Sequence, residues 1–257
     1  MKITLLALTL LISVSSISQT DSLPSAVYNW SDVKPQKTAT GERRQVLKGS
    51  TLDLATLQIH TSTLEPGKTN HPPRALNDRE ELIIVKEGNL KVTLGDSSKV
   101  LGPGGLALIV AGEQQSFSNP FNKQATYYVL GYIAKDAVNI QRGKQAGSFM
   151  KDWKELEVKQ TDKGESRPIF DRPSSMFPRF DVHATTLNPG FASHPPHTHR
   201  AEEIILMIKG NGEEQIGQTL HKAKAGDVIL LNSNIPHNIT NKGSIPCSYF
   251  AIQWHNQ

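Results

Sequence analysis

The chain has 257 residues, 37 % hydrophobic and 20 % charged. That is enough to bury a core without staples, and it excludes a mini-protein, a wholly disordered chain and a polytopic membrane protein. Lys plus Arg number 28 against 24 Asp plus Glu, a formal net charge of +4, and the basic residues are scattered, so the pattern offers no nucleic-acid footprint and points to a small-molecule partner.

A single cysteine, Cys247, excludes an intramolecular disulfide, a Cys-rich zinc site and a Cys-x-x-Cys redox centre. Any metal must therefore be held by histidines and carboxylates. The first element in the chain is an apolar run over residues 3–14 after Lys2, followed by Ser15, Ser16, Ile17 and Ser18. The run is too short to span a bilayer and has the order of a secretory signal, so residues 1–18 read as a signal peptide cleaved after Ser18. On that reading the protein is periplasmic or secreted, has no membrane contact after cleavage, and folds without disulfides in a compartment such as a bacterial periplasm.

The remainder is a tandem duplication. Residues 30–41 recur as 153–164, and Ile59-His60-Thr61-Ser62-Thr63-Leu64 recurs as Val182-His183-Ala184-Thr185-Thr186-Leu187. His71-Pro72-Pro73 matches His194-Pro195-Pro196, and after a one-residue slip Glu80-Glu81 matches Glu202-Glu203. Gly104, Asn119 and Tyr127 then match Gly226, Asn241 and Tyr249. This divides the chain into residues 27–134, a polar linker over 135–148, and residues 149–254.

Each copy reads as short β-strands. In the second, residues 180–187 alternate, Asn188-Pro189-Gly190 turns, 202–209 form a strand, Gly210-Asn211-Gly212 turns, and 227–231 and 248–254 are further strands. Closely spaced short strands predict an all-β sandwich or barrel. The run Ile204-Ile205-Leu206-Met207-Ile208 is apolar at both parities, as in a strand covered on both faces.

The chemistry is concentrated in the second copy. His197-Thr198-His199 on an extended segment puts two imidazoles on one face, with Glu203 opening the next strand and His237 coming from a later one. Three neutral imidazoles and a carboxylate suit Mn, Fe, Zn, Ni or Cu better than Mg or Ca. Four protein ligands on an octahedral ion leave two positions for substrate, water or dioxygen.

These residues resemble a known family. Gly190, six residues, His197-x-His199, three residues, Glu203, six residues and Gly210 resemble the first motif of the cupins; Gly226-Asp227, nine residues, His237, three residues and Asn241 resemble the second. Asn232 stands where a proline is usual and Pro236 precedes the histidine. The resemblance spans both copies and implies a bicupin, two tandem jelly-roll (double-stranded β-helix) barrels, with His197, His199, Glu203 and His237 binding one divalent transition metal, Mn or Fe foremost. In the first copy Arg74, Leu76 and Gln115 replace the three histidines and only Glu81 remains. A guanidinium in place of an imidazole is a poor setting for a metal, so that barrel is expected to be metal-free.

Secondary candidates for the substrate pocket are His183, Arg167, Tyr249, Gln253 and Glu202. His183 has its counterpart in His60, where structural hydrogen bonding is the ordinary role; Arg167 and Arg44 are matched cations suited to a solvated surface; Tyr249 suits core filling. Parity turns His194 away from His197, and turns Glu202 outward unless the barrel rim bends it in. Cys247 reads as a buried filler, and His221 and His255 as surface residues. Two function classes follow: a metalloenzyme acting on a small oxygen-rich substrate, of isomerase, lyase, decarboxylase or dioxygenase type, or a carbohydrate- or small-molecule-binding sensor. Open metal positions favour the enzyme, and a homodimer is compatible with either. A likeness to ureidoglycine aminohydrolase ranks low, because that motif begins with Glu and uses a late Gln.

Overall fold

The computed structural model describes residues 22–256; the signal-peptide reading falls outside them. Among the described residues no helix is long and apolar enough to cross a membrane. The duplication becomes two β-barrels of jelly-roll type, each made of a seven-stranded antiparallel sheet and a smaller one. In the second barrel the large sheet runs Ala26–Tyr28, Val228–Leu231, Glu202–Lys209, Cys247–His255, Arg179–Leu187, Gly164–Arg172, Lys159–Thr161, and the small one runs Thr219–Lys224, Asn211–Ile216, His237–Thr240. The first barrel repeats this order around Glu80–Glu87 and Ala125–Ala134, with a four-stranded small sheet.

The copies exchange their opening strands. Ala26–Tyr28 pairs antiparallel with Val228–Leu231 of the second barrel, and Phe149–Lys151 pairs with Leu106–Ile109 of the first. Each sheet is thus completed by three residues from the other repeat, which covers an edge that would otherwise present unpaired backbone groups. The repeat boundaries at 27 and 149 therefore mark sequence units, while the hydrogen-bonded units interlock. Residues 135–148 carry the one α-helix among the described residues, Ile140–Ala146. Asn139 caps it by accepting from the Arg142 N–H at 2.9 Å, and the Arg142 side chain donates to the carbonyls of Ser174 and Ser175. The connection is therefore packed against the second barrel.

Side-chain parity along Glu202–Lys209 explains why both faces are apolar. Ile205 and Met207 point into the second barrel with Leu187, Ile229, Leu231 and Ile239. Ile204 and Leu206 point the other way, into a core shared with Leu82, Ile84, Leu130 and Tyr132 of the first barrel. Each fully buried side chain of this kind contributes roughly 1.5–3 kcal/mol, so the interface between barrels is as much a folding core as either interior.

Candidate metal centre

The same parity sorts the two adjacent glutamates. Glu203 shares the inward face with Ile205, whereas Glu202 shares the inter-barrel face with Ile204. Both are buried. The Glu202 carboxylate accepts hydrogen bonds from the Thr51 hydroxyl at 2.6 Å, the N–H groups of Leu52 and Asp53 at 3.0 Å, and the Trp254 indole at 3.1 Å. It belongs to the junction with the first barrel, neither outward nor in the substrate pocket as the sequence suggested. Its counterpart Glu80 does the same in reverse, accepting from the Ser175 N–H of the second barrel.

Inside the second barrel, His197, His199 and His237 each offer a ring nitrogen, and these nitrogens lie within 4.8 Å of one another. Glu203 Oε2 is 3.3 Å from Nε2 of both His199 and His237. Backbone pairing brings the distant stretches together: His197 and His237 form an isolated antiparallel bridge with N–H to carbonyl distances of 3.3 and 3.0 Å. The Nδ1 atoms of His199 and His237 face the carbonyls of Ala201 and Ile235, each at 2.8 Å. A carbonyl can only accept, so Nδ1 carries the proton and Nε2 keeps its lone pair toward the centre. His237 Nε2 is buried and makes no well-aligned hydrogen bond. An uncompensated lone pair at that depth is costly, and a cation is the partner that would satisfy it. Nitrogen and oxygen donors cis to each other on an ion at ~2.1 Å sit about 3 Å apart, so this donor set fits a divalent metal ion.

The electrostatics agree. Burial alone would raise the Glu203 carboxyl, but His199 and His237, which take a proton on Nε2 when no ion holds those lone pairs, outweigh it and hold Glu203 down at about 2. Burial, then the neighbouring imidazoles, lowers His197, while the hydrogen bond to Glu203 raises His199.

Three of the four cluster residues, His197, Glu203 and His237, lie on the wall of a cavity of about 410 Å³ that His183, Tyr249 and Gln253 also line. Tyr249 is buried, which pushes its hydroxyl pKa up, and it hydrogen bonds Thr185. Arg167 is not among the residues lining the cavity. Its guanidinium stacks 4.6 Å over the Trp153 ring and donates to Glu165 at 3.1 Å, so it is neither a solvated surface cation nor a pocket residue. Arg44 repeats the contact on Trp30 at 4.8 Å. His194 also departs from its expected place: its ring is 3.9 Å from that of His197, on the same cavity wall. Residues 193–196 are bends rather than strand, so the period of two does not carry across them.

One further residue was missed. Glu214, in the middle of Asn211–Ile216, lines the cavity, is 1 % exposed, and neither of its carboxylate oxygens has a hydrogen-bond partner. Burial, with the Glu203 charge adding, pushes it up to about 9, so it is a neutral acid at neutral pH. The signal was available in the duplication, because the matching position in the first copy is Val92, an interior apolar residue.

A cupin domain model matches residues 60–131 and again 183–253. A search of curated protein sequences found no match. Among solved structures, a Pseudomonas aeruginosa protein described as glyoxylate induced superimposes with a TM-score of 0.73 at 16 % identity, covering 97 % of this chain and 93 % of that one. Oxalate decarboxylase from Lactobacillus farciminis, in a formate complex, gives 0.69 at 13 % identity over 95 % and 90 %. AerE from Microcystis aeruginosa gives 0.64 at 16 % over 87 % and 97 %. At these identities the likeness is one of fold. With two cupin matches covering more than half of its length, a duplicated pair of jelly-roll barrels, and a His cluster able to hold a divalent metal in the second, the chain belongs to the cupin family as a bicupin.

Proposed function

We propose that this bicupin is an exported metal-dependent enzyme that moves a proton to or from carbon in a small oxygen-rich, carboxylate-bearing substrate, in a decarboxylase, isomerase or lyase reaction. The observation that carries this reading is Glu214: a buried, unpartnered carboxylic acid on the wall of the cavity that also holds the His–Glu cluster. A binding protein gains nothing from an unpaired acid at 1 % exposure, whereas a protonated carboxylate kept neutral by burial is a proton donor matched to neutral pH. The fold likeness to an oxalate decarboxylase supports a carboxylate-bearing substrate.

His197, His199, Glu203 and His237 would hold the ion, Mn or Fe foremost; when bound, it supplies a Lewis acid that polarises a substrate oxygen. Glu214 supplies the proton. In a decarboxylation the carbon that loses carbon dioxide keeps the bonding pair and takes the Glu214 proton, and the resulting carboxylate recovers one from water. In an isomerisation Glu214 gives its proton to one carbon and, as the carboxylate so formed, takes the proton released from the neighbouring carbon. Tyr249 and Gln253, on one strand and both lining the cavity, would orient substrate hydroxyls, with Ile205, Ile239 and Ala251 as the apolar part of the same wall.

The test is turnover by metal-loaded protein on a panel of uronates and small keto, hydroxy and dicarboxylic acids, with oxygen uptake recorded in parallel. Glu214→Gln is expected to lower kcat by 10²–10⁴-fold while retaining the metal. Tight binding of a panel member that is never converted would overturn the enzyme reading, and oxygen consumption stoichiometric with product would replace proton transfer by a dioxygenase reaction.

A further inference from the structure

The first barrel has a cavity at the place that holds the metal cluster in the second. It measures about 210 Å³ and is lined by Arg43, His60, Ser62, His71, Arg74 and Glu81, among others. Position for position, Arg74 stands where His197 does, Glu81 where Glu203 does, and His71 where His194 does. We infer that this cavity is a second, metal-independent binding site, for a small hydroxymonocarboxylate, in which the guanidiniums of Arg43 and Arg74 supply the positive charge.

Charge fixes the anion. Two guanidiniums face one carboxylate, Glu81, whose Oε2 is already taken by the Gln115 amide at 2.8 Å. Arg43 donates to Gln45 at 3.1 Å, and the Arg74 guanidinium has no hydrogen-bond or ion-pair partner among the described residues, which leaves N–H groups for a ligand. Guanidiniums bind carboxylates through paired, charge-assisted hydrogen bonds. One net positive charge suits one carboxylate; a second would meet Glu81.

Polarity fixes the hydroxyl. His71 Nδ1 faces the Pro72 carbonyl at 2.8 Å, so it carries the proton, and Nε2 is a bare acceptor. That Nε2 is buried with no partner, as is Nδ1 of His60. Neither ring is charged at neutral pH: burial, followed by Arg43 and Arg74, lowers His60 to about 3, and burial lowers His71. A neutral lone pair beside two guanidiniums accepts a hydrogen bond from an alcohol, not from a second anion. The volume, about seven waters' share of the liquid, admits a molecule the size of glycolate or lactate.

The test is calorimetric titration of glycolate into the full-length protein stripped of metal by a chelator, with acetate as the analogue lacking the hydroxyl. One glycolate per chain is expected. Arg74→Gln and Arg43→Gln should each raise Kd at least tenfold, and His71→Phe should bring the glycolate affinity down to that of acetate. Arg43→Lys replaces Arg43→Gln if the latter does not fold; the exposed Arg74 carries no such risk. Absence of binding at millimolar glycolate, or a Kd unmoved by both arginine variants, overturns the site.

Discussion

At the scale of single residues, the chemistry rests on what burial does to a carboxyl group. Glu203 and Glu214 differ by eleven positions and face one cavity, yet one is held ionised by two imidazoles and the other is left with no partner and stays protonated. This has a consequence for stability in the metal-free protein. An unfolded glutamate loses its proton near 4.5 and native Glu214 near 9, so between those pH values the native state binds one more proton. The free energy of unfolding therefore falls as pH rises through that window, by at most about 1.4 kcal/mol per pH unit. Glu214→Val, which restores the residue of the first copy, should flatten that fall in a urea-midpoint series from pH 5 to 9; an unchanged slope would show Glu214 already ionised in the native state. The spacing of His197, His199, Glu203 and His237 was legible because these residues stand in recognisable motifs. Glu214 was not singled out, and His194 was turned away from the cavity that it lines. The first looks like an ordinary polar strand residue until it is set against Val92, and the second lies on bends where alternation gives no direction.

At the scale of elements, the strand Glu202–Lys209 is the structural hinge between chemistry and folding, because its two faces serve different ends. Its apolar run was legible as a doubly covered strand. What covered the second face was not, since nothing local tells Glu202 that a turn from the other copy, Thr51 to Asp53, will supply its donors. Glu202→Ala should destabilise the protein by about 3 kcal/mol in chemical denaturation, because it leaves several buried donors unpaired, and Glu202→Gln should cost less. The repeated tryptophans have a parallel role. Trp153 packs on Gly104 of the first barrel, where an added Cβ would lie 2.6 Å from the indole, and Trp30 packs on Gly226 of the second. Gly104 also has φ +82, so Gly104→Ala should cost roughly 1–3 kcal/mol through crowding and backbone strain. A Tm equal to that of the parent would contradict the packing described. The matched Trp, Arg and Gly positions that stood out in the repeats are thus explained by the barrel junction.

At the scale of the whole molecule, the two barrels share one core and exchange edge strands, so neither is a free-standing unit. Tyr132, Phe177, Phe180 and Trp254 form one aromatic cluster that draws on both copies. Calorimetry should show a single unfolding transition with equal calorimetric and van't Hoff enthalpies; two separated transitions would mean that the shared core is not holding the barrels together. The repeats were legible as a duplication, but the interlocking was not, because three-residue strands such as Ala26–Tyr28 carry too little pattern to announce a distant partner. The duplication has also divided labour: one barrel keeps a His–Glu cluster, and the other has exchanged imidazole for guanidinium at Arg74 and for amide at Gln115. The most direct measurement of that division is the transition-metal content of the purified full-length protein and its variants by elemental analysis. One ion per chain is expected, lost in His199→Ala and His237→Ala and retained in Gln115→Ala. Two ions per chain, or an unchanged content in His199→Ala, would contradict it.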